Sequence, residues 1–226
     1  MLITSCMQSN VVSVSPETSL LKCKSLFREY GVSRLPVVDT ENHVVGIISN
    51  TDIKEFSPQN TTGLEVLELL DILGETPVKQ IMVVDPKTIN INNTVENAAL
   101  LMERYAVGCL PVVDDNDTLV GIITDWDIFK IFINITGTRA AGVQMSFVLE
   151  HKPGTLRAKL DKLKEHGARV ITVLSNITDD GMRDVTLRFR ASDTATEEKL
   201  IEELSADGSV VYWGRGNEIH MMKTGK

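Results

Sequence analysis

Residues 35–52 read LPVVDTENHVVGIISNTD, and residues 110–127 read LPVVDDNDTLVGIITDWD. The offset of 75 holds beyond these stretches without a gap. It relates Met7 to Met82, Val14 to Ile89, Leu20 to Val95, Leu26 to Leu101, Tyr30 to Tyr105 and Pro36 to Pro111. Solenoid and propeller repeats have periods of about 20–50 residues, so this longer period describes two copies of a small domain rather than an array. Any fold proposed for the chain must place two similar units side by side.

Each copy reads strand, helix, strand, strand, helix. Leu20, Cys23, Phe27 and Tyr30 share helical spacing in the first copy, and Val95, Ala98, Met102 and Tyr105 share it in the second, which predicts one buried face per helix. LPVVD and VVGIIS are short apolar strands around the turn-forming TENH, and the second copy repeats this around DNDT. Nearly continuous apolar strands predict a sheet covered by helices on its core side. GLEVLELLDIL (63–73) reads as a helix that links the copies.

The pattern changes after Ile135. TGTRAAG (136–142) is small and polar, a linker expected to hinge. Beyond it Val143, Met145, Phe147 and Leu149 alternate as a strand, and HKPGT turns into a helix with Leu156, Leu160 and Leu163 on one face. RVITVL (169–174), the alternating Val185, Leu187 and Phe189, a helix marked by Leu200, Ile201 and Leu204, and SVVYW (209–213) complete the order βαββαβ. That is the ferredoxin-like arrangement. The expected fold class is α/β (α+β): a first domain over 1–62, a linking helix and second domain over 63–135, a linker over 136–142 and a third domain over 143–226.

Composition excludes several functions. A net charge of −8 argues against a nucleic-acid partner, which would need many phosphates neutralised by Lys and Arg. A small phosphorylated ligand needs only one or two cations and is not excluded. No apolar run approaches the roughly 20 residues that span a bilayer, and MLITSCMQSN has neither a basic nor an apolar segment of a signal peptide. Cys6, Cys23 and Cys109 form no CxxC or Cys/His cluster, so no disulfide framework and no metal site is expected. A reduced, cytoplasmic protein follows. His43, His151, His166 and His220 lack a motif-placed nucleophile or ligand partner, so no catalytic residue is expected. Neither GxxxxGK[ST] nor GxGxxG occurs.

The chemistry gathers where the last strand of each copy meets its helix: GIISNTD (46–52) and GIITDWD (121–127). A hydroxyl, Ser49 or Thr124, stands three residues before a carboxylate, Asp52 or Asp127. On one reading this is a capping box that satisfies free N–H groups at a helix start. On the other, the carboxylate accepts from both hydroxyls of a ribose while the Ser or Thr hydroxyl and the helix N–H groups hold ribose or phosphate.

LPVVD…GII[ST]xxD written twice, each after a preceding Met, resembles a tandem pair of CBS domains over residues 1–135. The resemblance implies two copies packed about a pseudo-twofold axis, with two clefts that bind adenosyl ligands such as AMP, ADP, ATP or S-adenosylmethionine. It implies that Asp52 and Asp127 hold the ribose diol, with Ser49 and Thr124 beside them. The position two before the LPVVD proline supplies a phosphate-binding cation in nucleotide-binding members. Here it is Arg34 in the first copy and Cys109 in the second.

The third segment is similar to an ACT domain, on its βαββαβ order and on Lys152-Pro153-Gly154-Thr155-Leu156 at the first strand–helix turn. That resemblance implies an amino-acid effector near Pro153, Gly154, Thr155 and Leu156. The bland alternative is that Pro153-Gly154 turns the chain and Thr155 caps the helix. The order CBS–CBS–ACT resembles the bacterial acetoin-utilisation B proteins, which implies a non-enzymatic accessory regulator of metabolism. Homodimers and a metabolic-enzyme partner are expected with it, and neither nucleic acid nor membrane. The alternatives are an amino-acid-responsive regulatory subunit with vestigial nucleotide sites and a purely structural dimerisation module.

Overall fold

The computed structural model describes residues 1–57 and 63–222. The expected boundary at residue 62 and the last residues of the third domain, 223–226, lie outside the described residues. The chain divides into two compact units, Met1–Phe129 and Lys130–Lys226.

In the first unit, α1 (Leu20–Tyr30), β1 (Arg34–Val38), β2 (Val44–Ser49) and α2 (Asn50–Phe56) form the first copy, and α3 (Gly63–Glu75) follows. β3 (Val83–Val84), β4 (Ile89–Asn90), α4 (Val95–Tyr105), β5 (Cys109–Val113), β6 (Leu119–Thr124) and α5 (Asp125–Ile135) come next, and α5 runs on past the division between the units. Ser19 and Thr94 start α1 and α4 by accepting from the N–H groups of Lys22 and Asn97 (3.3 and 3.2 Å). Both helices stop at a left-handed residue, Gly31 and Ala106. Leu20, Cys23 and Phe27 are buried, as are Val95, Ala98 and Met102, but Tyr30 and Tyr105 are exposed. Each tyrosine is the last residue before the left-handed stop, where the chain is already turning away from the core.

The aspartate that closes each LPVVD shapes the next turn. Asp39 Oδ1 accepts from the N–H groups of Glu41 and His43 (both 2.9 Å), and Asp114 Oδ1 accepts from those of Asn116 and Thr118 (2.9 and 3.0 Å). The left-handed positions that follow are Asn42 (φ 66°) and Asp117 (φ 61°), again 75 apart. Both residue types tolerate that conformation.

The copies are interlocked rather than merely adjacent. Gln8, ahead of α1, makes an isolated bridge to Ile122 of the second copy, while β3 pairs with β2, through Val83 and Ile47. Ile3 is buried in the core of the second copy with Ile89, Leu110, Val112 and Ile123. Its counterpart Val78 is buried in the first core with Leu20, Leu35, Val37 and Ile48. The expected first strand of each copy is short: Val14 makes an isolated bridge to Val37, and β4 holds only Ile89–Asn90, paired parallel to β5. The glycines of VVGIIS and LVGIIT serve this exchange. A Cβ on Gly121 would lie 2.7 Å from Met7 Sδ and 3.3 Å from the Gln8 carbonyl oxygen, and one on Gly46 would collide with Met82 Sδ.

The second unit contains β7 (Val143–Glu150), α6 (Thr155–Glu165), β8 (Arg169–Ile177), β9 (Met182–Arg190), α7 (Thr194–Ser205), β10 (Val210–Arg215) and β11 (Glu218–Met221). The sheet order is β11-β10-β7-β9-β8, all antiparallel. Without β11 this is the ferredoxin-like βαββαβ order. Val143, Met145, Phe147 and Leu149 face inward with Val185, Leu187 and Phe189, under Leu163, Leu200 and Leu204 of the helices. β11 lies beyond the last strand expected from sequence. Its four residues alternate polar and apolar, with Ile219 and Met221 on one face, but all are exposed; Gly216-Asn217 is a two-residue hairpin turn with Gly216 at φ 60°. Residues 136–142 form turns beside β8: the Thr172 hydroxyl donates to the Ile135 carbonyl (2.7 Å), and a Cβ on Gly137 would meet Ile171 Cγ2 at 2.8 Å.

One buried charge breaks the apolar face of α6. Lys159 is 4% exposed, and its ammonium donates to the Leu204 carbonyl (2.9 Å) and Asp207 Oδ2 (2.7 Å) and lies 4.9 Å over the Phe147 ring. Burial opposes ionisation of Asp207, but hydrogen bonds from Lys159 and from the hydroxyl and N–H of Ser209 outweigh it and hold the carboxyl at about 2. A lowered pKa stabilises the fold above the ordinary Asp value of about 3.9, and this contribution is lost as pH falls through the folded value. Asp207→Asn should therefore show a smaller fall in unfolding free energy between pH 5 and pH 2 than the parent in urea titrations (an equal fall would refute the coupling). Lys159→Met should lower stability at neutral pH by roughly 1–3 kcal/mol, since the Leu204 carbonyl loses its donor.

The interlock makes its own prediction. Gly121→Ala should destabilise by about 1–3 kcal/mol through overpacking, and Met7→Ala on that background should return part of the loss. Urea unfolding of the two variants reads this directly; additive losses would mean the contact is unimportant.

Candidate functional site

Both strand–helix junctions fold as their spacing predicts. Ser49 is extended (φ −114°, ψ 162°) and caps α2. Asp52 Oδ2 accepts from the Ser49 N–H (2.7 Å) and hydroxyl (2.8 Å), and the Asp52 N–H donates back to Ser49 Oγ (3.2 Å). In the second copy Asp127 Oδ2 accepts from the Thr124 N–H (3.1 Å) and hydroxyl (2.7 Å), and more distantly from the Gln8 amide (3.5 Å). The capping arrangement is thus present in both copies. It leaves a difference between them. Asp52 is half-buried, lines a cavity, and its Oδ1 takes no hydrogen bond from the described residues. Asp127 is 4% exposed and does not line the corresponding opening.

The first cavity, of about 380 Å³, brings together Arg34, Ser49 and Asp52. Its other walls are Ile47 and the segments Val83, Asp85, Pro86, Lys87 and Tyr105, Val107, Gly108, Cys109. The volume falls in the range of about 300–1,000 Å³ usual for small-molecule sites. Two cations and two carboxylates stand among apolar walls, and Lys87 Nζ lies 5.1 Å over the Tyr105 ring. Asp85, Lys87 and Tyr105 were not expected here. They arrive because the start of the second copy pairs with β2, and the signal available for them was the offset itself, since Val83 matches Gln8.

The second cavity is smaller, about 260 Å³, and is lined by Gln8, residues 31–34, Ile122, Thr124, Asp125 and Trp126. Arg34 therefore lines both cavities. At the position equivalent to Arg34 stands Cys109, which burial pushes up to about 11, with Arg34 lowering and Asp125 raising it to lesser degrees. At neutral pH this thiol is uncharged and a poor nucleophile. Among the described residues no group of three or more His, Cys, Asp or Glu side chains is placed to hold a metal ion, and no helix is long and apolar enough to cross a membrane.

The CBS-domain family matches residues 3–59 and 78–134, half of the chain and again offset by 75. The chain belongs to the CBS-domain family. An inosine-5'-monophosphate dehydrogenase of Korarchaeum cryptofilum is 34% identical over 120 residues, which are 53% of this chain and 22% of that enzyme. The chain spans about a fifth to a third of the length of the first curated relatives it matches. The CBS-pair protein CBSX2 of Arabidopsis thaliana has a solved structure with a TM-score of 0.52 at 26% identity, covering 62% of this chain and 98% of that one. The protein MJ1225 of Methanocaldococcus jannaschii gives 0.51 at 27% identity, covering 59% of this chain and 50% of that one.

Outside the CBS pair, the turn of the second unit is built as follows. Gly154, at φ 94°, precedes α6 and caps it without a side-chain bond. Thr155 is therefore not the cap. It is the first residue of α6, and its hydroxyl donates to the carbonyls of Glu150 and Lys152 (both 3.0 Å) because the left-handed glycine turns them toward it. Leu156 packs on the core, while Pro153 and Gly154 are exposed. Of the four residues only Thr155 lines the neighbouring cavity of about 470 Å³, with Lys159, Lys162 and Asp207 among its walls.

The buried and half-buried aspartates of the CBS pair should respond differently to truncation without ligand. Asp127→Ala strips a buried N–H and hydroxyl of their acceptor and should cost roughly 2–3 kcal/mol, against about 1 kcal/mol for Asp52→Ala. Equal losses in urea unfolding would show that burial does not separate the two junctions.

Proposed function

We propose that this chain is a non-catalytic regulatory protein whose CBS pair binds an adenosyl ligand, from the set AMP, ADP, ATP and S-adenosylmethionine. The observation that carries the reading is the meeting of Asp52, with one carboxylate oxygen unused, and the cations Arg34 and Lys87 in one apolar-walled cavity. Asp52 Oδ1 accepts from the ribose diol, and Ser49 stays bonded to Oδ2, holding the carboxylate in place. Arg34 and Lys87 take the phosphate by charge-assisted hydrogen bonds. Ile47, Val83, Pro86 and Val107 cover the faces of the base. In the second cleft Thr124 faces the ligand, and the buried Asp127 holds the Thr124 hydroxyl in place.

The second unit is assigned to the ACT type, on its βαββαβ order and on the turn from Lys152 to Leu156. An amino-acid effector near Pro153, Gly154, Thr155 and Leu156 is favoured by the cavity that Thr155 shares with Lys159 and Lys162. The protein works in the cytoplasm as a homodimer and regulates a metabolic enzyme. The acetoin-utilisation role rests on the order of the three domains alone. Ligand reports by favouring one arrangement of the protein over another.

A thermal-shift screen on nucleotide-free protein tests this. Ligand at about 100-fold its dissociation constant adds about 2.7 kcal/mol to the native state, which for a chain of this size raises the melting midpoint by roughly 5–10 °C. Asp52→Asn keeps the size but removes the charge, and should weaken binding by about 1–3 kcal/mol. Arg34→Ala should weaken AMP much more than adenosine. No shift with any of the four ligands would leave the capping role of Asp52 and Asp127 as their whole function.

A further inference from the structure

Arg34 stands between two clefts that are chemically unequal. It lines both, and its counterpart Cys109 carries no charge. A Cβ on Gly108 would come within 2.6 Å of Arg34 Nη2 and 2.9 Å of Asp125 Oδ2. The guanidinium therefore reaches from β1 across to the backbone of the second copy, where it and the Asp125 carboxylate flank the same glycine. In the first copy the residue equivalent to Asp125 is the neutral Asn50. The first cleft has a second cation, Lys87; among the described residues the second cleft is lined by none besides Arg34, and it is smaller, about 260 against 380 Å³.

A guanidinium binds phosphate through a planar fork, so committing that fork to one phosphate removes it from another. From this we infer that the clefts bind different ligands and are coupled through Arg34. A phosphorylated adenosyl ligand in the first cleft draws the guanidinium to its phosphate. The second cleft then presents only the Asp125 carboxylate, which repels phosphate, and it takes an adenosyl ligand that bears none. The inference rests on the adenosyl reading above and adds to it the class of ligand for each cleft. It also makes Arg34 a residue through which occupancy of one cleft changes the affinity of the other.

Calorimetric titration of the nucleotide-free full chain with AMP and adenosine tests it. AMP should fill one strong site per chain, and adenosine should still bind one further site in AMP-saturated protein. Trp126, which lines only the second cavity, should change its fluorescence at the adenosine step on a Trp213→Phe background. Asp125→Asn keeps an acceptor for the Trp126 N–H, now at 2.7 Å from Asp125 Oδ1, so the junction is retained. It should tighten the second AMP site about tenfold by removing a nearby like charge, leaving the first unchanged. Arg34→Gln should weaken AMP at the first site at least tenfold with adenosine unaffected. Two equal AMP sites in the parent, a second AMP site in Asp125→Asn as weak as in the parent, or an Arg34→Gln chain that still prefers AMP to adenosine would each overturn the coupling. Binding of neither compound would overturn the adenosyl reading itself, and this inference with it.

Discussion

The exchange of segments between the two copies is the constraint on which the first unit depends. Ile3 and Met7 pack on the second copy while Val78 and Met82 pack on the first. Burial of a side chain such as Ile3 or Val78 contributes on the order of 1.5–3 kcal/mol, and each is removed from its own copy and given to the other. Neither copy can complete its sheet or core alone. The pair is therefore the folding unit, and the division of the chain falls within α5 rather than between the copies.

The same exchange builds the first cavity. Strand pairing of Val83 with Ile47 carries Asp85 and Lys87 to the junction where Ser49 and Asp52 already stand. The local device there, a hydroxyl bonded to a carboxylate three residues on, serves two purposes without conflict. One carboxylate oxygen satisfies the start of the helix, and in the first copy the other remains for a ligand. Symmetry supplies two clefts; the departures from symmetry, Arg34 against Cys109 and Asn50 against Asp125, give each its own charge.

Much of this was legible in the residues. The offset of 75 announced the duplication, and the hydroxyl–carboxylate spacing located both junctions. The βαββαβ order of the second unit followed from alternation in Val143–Leu149 and Val185–Phe189. What escaped reading was set by tertiary pairing. Nothing local in Asp85, Lys87 or Tyr105 tells that they face Asp52, because the exchange joins residues distant in sequence. Asp127 matches Asp52 in motif but not in exposure, a difference set by tertiary packing rather than by the motif. Lys159 lies on the apolar stripe of α6 yet is a charge, and it is tolerated because the Leu204 carbonyl and Asp207 meet it. β11 is only four residues long, and its alternating Ile219 and Met221 are exposed rather than buried, so the strand follows from the hairpin turn and its pairing with β10.

Interlocking also orders events on the ribosome. β2 must wait for Val83, 36 positions after its partner Ile47, whereas Gln8 must wait for Ile122, 114 positions later. At synthesis rates of about 5–20 residues per second, the second interval lasts roughly 6–23 s. Through that time Ile3 and Met7 have no native surface to cover them, while the first copy can already close around Val78 and Met82. Within the pair, the residues that emerge first are thus the last to find their partners, and they need protection from other nascent chains for as long as the second copy takes to be made.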